Sequence, residues 1–276
     1  MRFRLASVSA FVCLLGALVC AGQAMAAAEV HRFNLVLSGI PTHVNGGDFN
    51  DALVYYNTTI LDPQGYESIE PLKFTWAYDA ELRFFARPNF ALTLGITQLR
   101  AEESMEYLPA ISQAINVRAQ ILTVPVHIGG IYYLQAYNQG DFQARAFIGG
   151  GLLQYTYTHA QFQQALTNPD TSLTRKWTAP GHPEYGANYM TQLTQDAPGY
   201  YVEAGAHMFF ASRYSVALGG IYRSGQLSAM RVDQVTVNGK GVLGPGTSTV
   251  AKNPKGQPFQ LDVGGVGVKM AVGIGF

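Results

Sequence analysis

The stretch Pro258–Phe276, PFQLDVGGVGVKMAVGIGF, decides how the rest of the chain is read. From Val266 every second residue is apolar: Val266, Val268, Met270, Val272, Ile274 and Phe276. Gly267, Lys269, Ala271, Gly273 and Gly275 lie between them. A period of two makes this a β-strand with one oily face and one face of small residues plus a single charge. Taken alone, the stretch also fits an ordinary edge strand.

Alternation recurs upstream. Strands are expected at about 30–40, 74–86, 90–100, 115–134, 141–157, 199–210 and 214–223, with the closing stretch as the eighth. The clearest is Phe74–Ala86: Phe74, Trp76, Tyr78, Ala80, Leu82 and Phe84 oppose Thr75, Ala77, Asp79, Glu81 and Arg83. Pro125 cannot donate to a ladder and predicts a bulge in the fourth strand. Short turns are read at 87–89, 137–140 and 211–213, and longer connections at 41–73, 101–114, 158–198 and 224–257. Within the first long connection Phe49, Leu53, Tyr56 and Ile60 fall at helical spacing. That pattern fits a short amphipathic helix over 48–60 or an irregular loop.

Composition bounds the class. Arg2 and Arg4, an apolar run to about Val19, and Ala24-Met25-Ala26 form a Sec-type signal peptide with cleavage expected after Ala26. The mature domain is then 27–276, with 16 basic and 18 acidic residues, and both cysteines, Cys13 and Cys20, leave with the leader. Lipoprotein processing at Cys20 is the rival reading, but Ala17, Leu18 and Val19 fit its signal poorly. Near-neutral charge gives no footprint for nucleic acid. An exported chain, oily, aromatic and without a spanning helix, has one membrane solution left, a closed barrel.

The closing stretch resembles the last strand of bacterial outer-membrane β-barrels. In those, a terminal Phe with alternating apolar residues, here Met270, Val272, Ile274 and Phe276, serves as the assembly signal. The whole mature chain is similar to the small OmpA-type, OmpW-type and opacity-type barrels, with no single family assigned. Val124-Pro125-Val126 with Gly129 and Tyr133 resembles a recurrent strand of that group. The expected fold is all-β: an eight-stranded antiparallel up-and-down transmembrane barrel with short periplasmic turns and long extracellular loops. The resemblance implies the outer membrane as location, its lipid and lipopolysaccharide and its assembly machinery as partners, and a monomer.

Parity alone leaves open which face points out. Two features place the oily face outside. Strand glycines (Gly95, Gly149, Gly151, Gly205, Gly219, Gly267) crowd onto the polar side, as a narrow filled interior requires. Aromatics (Phe33, Phe84, Phe90, Tyr132, Phe142, Phe210, Tyr214, Phe276) gather beside the short turns like an interfacial girdle. The distance from Phe84 up to Trp76 corresponds to roughly 20 Å of height.

The interior is then expected to hold Asp79, Glu81, Arg83, His127, Arg145, Glu203, His207 and Lys269. They form either a paired network filling the lumen or the lining of a narrow polar path. Tyr55, Tyr56, Trp177, Tyr185 and Tyr189 are the loop aromatics expected to make surface contacts. No catalytic residue, metal site or cofactor is expected. A lipid-modifying enzyme would want a His-x-Ser pair, but His127 is followed at that spacing by Gly129 and His207 by Phe209. His159, His182, Glu184 and Asp196 match no zinc spacing. The reading that remains is a barrel with a structural or surface-interaction role. The alternative is a channel for small or hydrophobic solutes. No residue names an extracellular ligand.

Overall fold

The computed structural model describes residues 31–110, 113–139, 141–167, 188–210, 213–237, 240–243 and 249–276. The leader and its cleavage site lie outside the described residues. In chain order the elements are β1 (Phe33–His43), α1 (Asp48–Tyr56), a π-helical turn (Asn57–Leu61), a 3-10 turn (Asp62–Gln64) and β2 (Phe74–Arg87). Then follow β3 (Phe90–Ala110), β4 (Gln113–Gln139), β5 (Phe142–Thr167), β6 (Asn188–Thr194), β7 (Ala197–Phe210) and β8 (Tyr214–Ser224). The last are β9 (Gln226–Leu227), β10 (Arg231–Val237), β11 (Lys240–Leu243), β12 (Leu261–Asp262) and β13 (Gly265–Gly275).

Eight of these close a barrel in the order β1-β2-β3-β4-β5-β7-β8-β13, with β13 returning to β1, and every neighbouring pair is antiparallel. Cross-strand partners can be followed around the wall from Asn34 through Arg83, Thr93, Gly129, Gly151, Tyr201 and Arg223 to Gly265. The β13 register on β1 sets Gly265 opposite residue 44. The path therefore returns ten residues higher than it began, from 34 to 44. With eight strands that stagger sets a tilt of roughly 40°.

Alternation divides the wall cleanly. Leu82, Leu94, Ile128, Leu152, Val202, Leu218 and Val272 stand exposed on the outside. Asp79, Glu81, Arg83, Thr93, His127, Glu203 and Lys269 are buried inside. Phe33 meets Phe84 at a tilt (5.2 Å) and stacks on Phe276 (6.1 Å), and Phe142 meets Phe210 at 5.4 Å, so girdle aromatics touch each other beside the short turns. Gly95 and Gly129 show why small residues face in. A Cβ on Gly95 would collide with the His127 ring, and one on Gly129 with the Tyr201 hydroxyl.

Several expected loops are structured. The connection expected at 101–114 is strand on both sides, because β3 runs to Ala110 and β4 begins at Gln113. β5 continues to Thr167, and the connections expected over 158–198 and 224–257 contain β6, β10 and β11. Above the barrel β3, β4 and β5 continue as an open sheet, extended in the order β6, β10, β11. The register does shift beside Pro125, but the extra residue is on the partner. Thr123 pairs with Thr158 and Pro125 with Tyr155, so two β5 residues oppose Val124. That insertion flips the parity of β5, and Thr158 and Ala160 point inward where odd-numbered residues did below.

Of the two readings of 48–60, helix or irregular loop, the helix forms, as α1 plus the π-helical turn. Its apolar side, Phe49 and Leu53, packs over the barrel mouth with Ile40, Leu227, Met230 and Leu261. Gly46 and Gly47, with φ of 73° and 56°, turn the chain from β1 into this cap. A second apolar cluster closes the opposite end: Val36, Phe85, Ile131, Tyr133, Phe147 and Phe209. A third lies under the inner face of the projecting sheet, where Leu61 and Ile69 meet Tyr107, Ile115 and Val117. Among the described residues no helix is long and apolar enough to cross a membrane.

Candidate functional site

Between the two end clusters the lumen holds a layer of charge. Alternation along β2 sends Asp79, Glu81 and Arg83 inward on consecutive pleats, and β4, β7 and β13 bring His127, Glu203, His207 and Lys269 to meet them. Arg83 Nε donates to Glu81 Oε1 at 2.6 Å, with both side chains fully buried. Its Nη1 donates to the Tyr133 hydroxyl at 3.0 Å and lies 3.2 Å from His207 Nδ1, which is itself 3.0 Å from that hydroxyl. Lys269 Nζ donates to Glu203 Oε2 at 3.1 Å and stands 3.5 Å from Glu81 and 3.6 Å from Asp79. His127 Nε2 is 2.9 Å from Asp79 Oδ1, and Thr97 donates to that same oxygen at 2.8 Å.

Seven of the eight expected interior residues thus form one connected cluster. Arg145 stands apart at the turn end, its guanidinium against the Pro88 carbonyl and near the rings of Tyr133 (5.9 Å) and Phe209 (5.6 Å). Charges taken this far from water are stable only when paired and hydrogen-bonded. Here three carboxylates share Lys269 and Arg83. Asp79, Glu81 and His127 approach closely enough to suggest a metal triad. The Lys269 ammonium already faces both carboxylates and supplies the positive charge there.

Sequence reasoning left several members of this layer unassigned: Tyr133, Tyr201, Thr93, Thr97 and Arg223. Tyr201 and Thr93 join hydroxyls at 3.0 Å, and Arg223 donates to Thr42 at 2.9 Å. All five sit on odd, inward-facing positions, so the same parity would have found them.

The expected contact aromatics divide. Tyr55 is exposed on α1. Tyr56 is not a free contact residue: its ring meets Phe162 edge-on at 5.0 Å and its hydroxyl donates to Gln164 at 3.3 Å. It packs inward because the helix face that carries Phe49 and Leu53 also carries Tyr56. Burial pushes its hydroxyl pKa well above the usual phenol value. Trp177 and Tyr185 lie outside the described residues, and Tyr189 is a position on β6, paired with Gln164 and Val237.

On the outer face of the projecting sheet, Glu102 accepts from Arg100 at 2.6 Å and lies 2.6 Å from Arg118. The Arg118 guanidinium beside it, then Arg100, holds the Glu102 carboxyl below its usual range.

Solved structures similar to this chain include the following three. No protein-family model and no curated protein matches. Neisserial surface protein A is 9% identical, covering 90% of this chain and 100% of its own, with a TM-score of 0.36. Ail of Yersinia pestis, solved with the heparin analogue sucrose octasulfate, is 9% identical over 89% and 98%, with a TM-score of 0.35. The Escherichia coli outer membrane protease OmpT is 11% identical over 91% and 99%, with a TM-score of 0.35. At those values the likeness carries no argument about this chain.

Proposed function

We propose that the chain is an integral outer-membrane barrel with a shut lumen, acting through what it presents outside the membrane. One observation carries the reading: an exposed apolar belt surrounds an ionic layer that is closed above by the α1 cap and below by the Phe85–Tyr133–Phe209 cluster. In water that arrangement is inside out. In lipid it satisfies every wall strand, since closure leaves no unpaired edge at membrane depth. Export by the leader cleaved after Ala26, assembly guided by the Met270–Phe276 stretch, and a monomeric state belong to the same reading.

The test uses protein folded into liposomes. Spin labels at Leu82, Met208 and Val272 should report acyl chain, and the folded form should migrate differently from the heated form on a gel. Labels that report water would remove the membrane placement. A second reading, a conduit for small solutes, draws on the polar layer itself. It requires flux of small solutes from protein-loaded liposomes, which the two apolar closures oppose.

A further inference from the structure

Arg145 carries a buried charge that the ionic layer leaves unanswered. It lies on β5 opposite His207 of β7 and is 3% exposed. The carboxylates of the layer pair with Lys269 and Arg83, and among the described residues no carboxylate pairs with Arg145. Its Nη1 donates to the carbonyl of Pro88, in the short turn between β2 and β3. Its Nε and Nη2 are buried and have no hydrogen-bond partner.

Those two donors share one edge of the guanidinium. Along that edge the N–H bonds run nearly parallel and form the fork that donates to two oxygens of one carboxylate or phosphate. The rings of Tyr133 and Phe209 stand 5.9 and 5.6 Å from the guanidinium carbon, close to the limit of about 6 Å for a cation–π contact, and offset little of the charge. Arginine does not shed its proton to escape burial. A neutral molecule could fill the hydrogen bonds of the fork, but only an anion also answers the charge.

A neighbour narrows the choice of anion. Gln143, two residues nearer the turn end on the same inward face of β5, is 2% exposed. Its Nε2 donates to Asn138 at 2.6 Å, and its Oε1 is a buried acceptor without a partner. Two idle donors and one idle acceptor call for a ligand with two acceptor oxygens and a hydroxyl. A singly protonated phosphate or phosphate monoester has all three, whereas a carboxylate or a halide lacks the hydroxyl. The way in is from the turn end. Pro88 is exposed there, while Tyr133 turns its hydroxyl to Arg83 and its ring to Arg145, which sets this site apart from the ionic layer.

We propose that Arg145 and Gln143 form a phosphoryl-binding socket in the barrel floor, entered from the turn end. Arg145 Nε and Nη2 hold two oxygens of one phosphate, and Gln143 Oε1 accepts its hydroxyl. The lumen stays shut, and the bound anion secures the side chain that ties β5 to the β2–β3 turn. The site needs the closed floor and is independent of the membrane placement.

The experiment titrates protein folded in a sugar-headed detergent with inorganic phosphate, below the second phosphate pKa and at constant ionic strength, followed by phosphorus NMR line broadening. Binding should saturate, and acetate and chloride should each compete about ten-fold more weakly or worse. Arg145→Lys keeps the charge and loses the fork, so it should weaken binding about ten-fold or more. Gln143→Leu should weaken it by a smaller factor and remove the preference over acetate. Absence of saturable binding, equal competition by acetate or chloride, or an unchanged affinity in Arg145→Lys would each overturn the socket. The first two outcomes are read on the wild-type protein and stand whether or not a variant folds. Glycerol phosphate distinguishes the source: affinity equal to that of inorganic phosphate supports a monoester borne by a larger molecule, and exclusion supports the free ion.

Discussion

Lys269 on β13 reaches across the lumen to Glu203 on β7, and its ammonium lies 3.1 Å from the carboxylate while also facing Glu81 and Asp79. One side chain thus answers three acids from two other strands. Replacing it with Met leaves carboxylates buried with Arg83 as their remaining cation neighbour in that cluster. Breaking a buried ion pair from one side costs about 3–5 kcal/mol. Lys269→Met should lower unfolding stability in detergent by that order, measured by urea titration. Adding Glu203→Gln should recover part of the loss, with a coupling energy of about 1 kcal/mol or more in the double-mutant cycle.

Glycine is a packing requirement at position 95 on the inner face and not at position 220 on the outer face. A Cβ at Gly95 runs into the His127 ring and the Ala80 carbonyl, whereas a Cβ at Gly220 meets nothing within 4 Å. Gly95→Ala should therefore destabilise by about 1–3 kcal/mol through overpacking. Gly220→Ala should be neutral or mildly stabilising, since it restricts the unfolded chain. Parallel urea melts of the two variants compare them directly, and equal effects would contradict a filled lumen.

How much of this was legible in the chain depends on what each residue faces. Along β2, an exposed apolar face on one side and a charged interior on the other make the period of two unmistakable, so Asp79, Glu81 and Arg83 could be placed without coordinates. Beyond Arg100 the outer residues up to Glu106 are no longer apolar. Glu102, Ser104 and Glu106 are polar outside, and Glu103 interrupts Ala101, Met105 and Tyr107 inside, so the segment passes for a loop. β6 and β10 join by backbone pairing at an edge, which nothing in Asn188–Thr194 announces. Pro125 announced a bulge, yet the inserted residue sits on β5, because register belongs to the pair and not to either strand. The partners inside the lumen depend on the ten-residue stagger, which brings Lys269 beside Glu81 and Glu203.

The Arg100–Glu102–Arg118 group gives the projecting sheet a pH dependence of known sign. The folded-state pKa of Glu102 is depressed below its ordinary value of 4.5. Its contribution is therefore present above the unfolded pKa and lost as pH falls through the folded one. Amide exchange at residues 100–106 and 116–122 should quicken as pH drops below the ordinary carboxylate range, once intrinsic rates are corrected. Glu102→Gln should remove that dependence and leave the lower wall strands unchanged. An identical pH response in the variant would mean that the triad does not hold the sheet.

The cap and the floor close the lumen independently, which separates two consequences of loosening the top. Leu53 is 2% exposed and sits on the α1 face packed with Phe49 over the barrel mouth. Truncation of a buried Leu to Ala costs about 2–5 kcal/mol when its surroundings cannot collapse. This loss falls on a segment tied to the wall mainly by side-chain packing and a few hydrogen bonds, such as those between Asn50 and Leu72. Leu53→Ala should therefore expose residues 44–73 to limited proteolysis while the folded band remains heat-modifiable. Solute flux should stay at the wild-type level, because Phe85, Tyr133 and Phe209 still fill the other end. Flux should rise only when Leu53→Ala is combined with Phe85→Ala. A rise with the cap variant alone would show that the top is the sole barrier and would favour the conduit reading over the shut barrel.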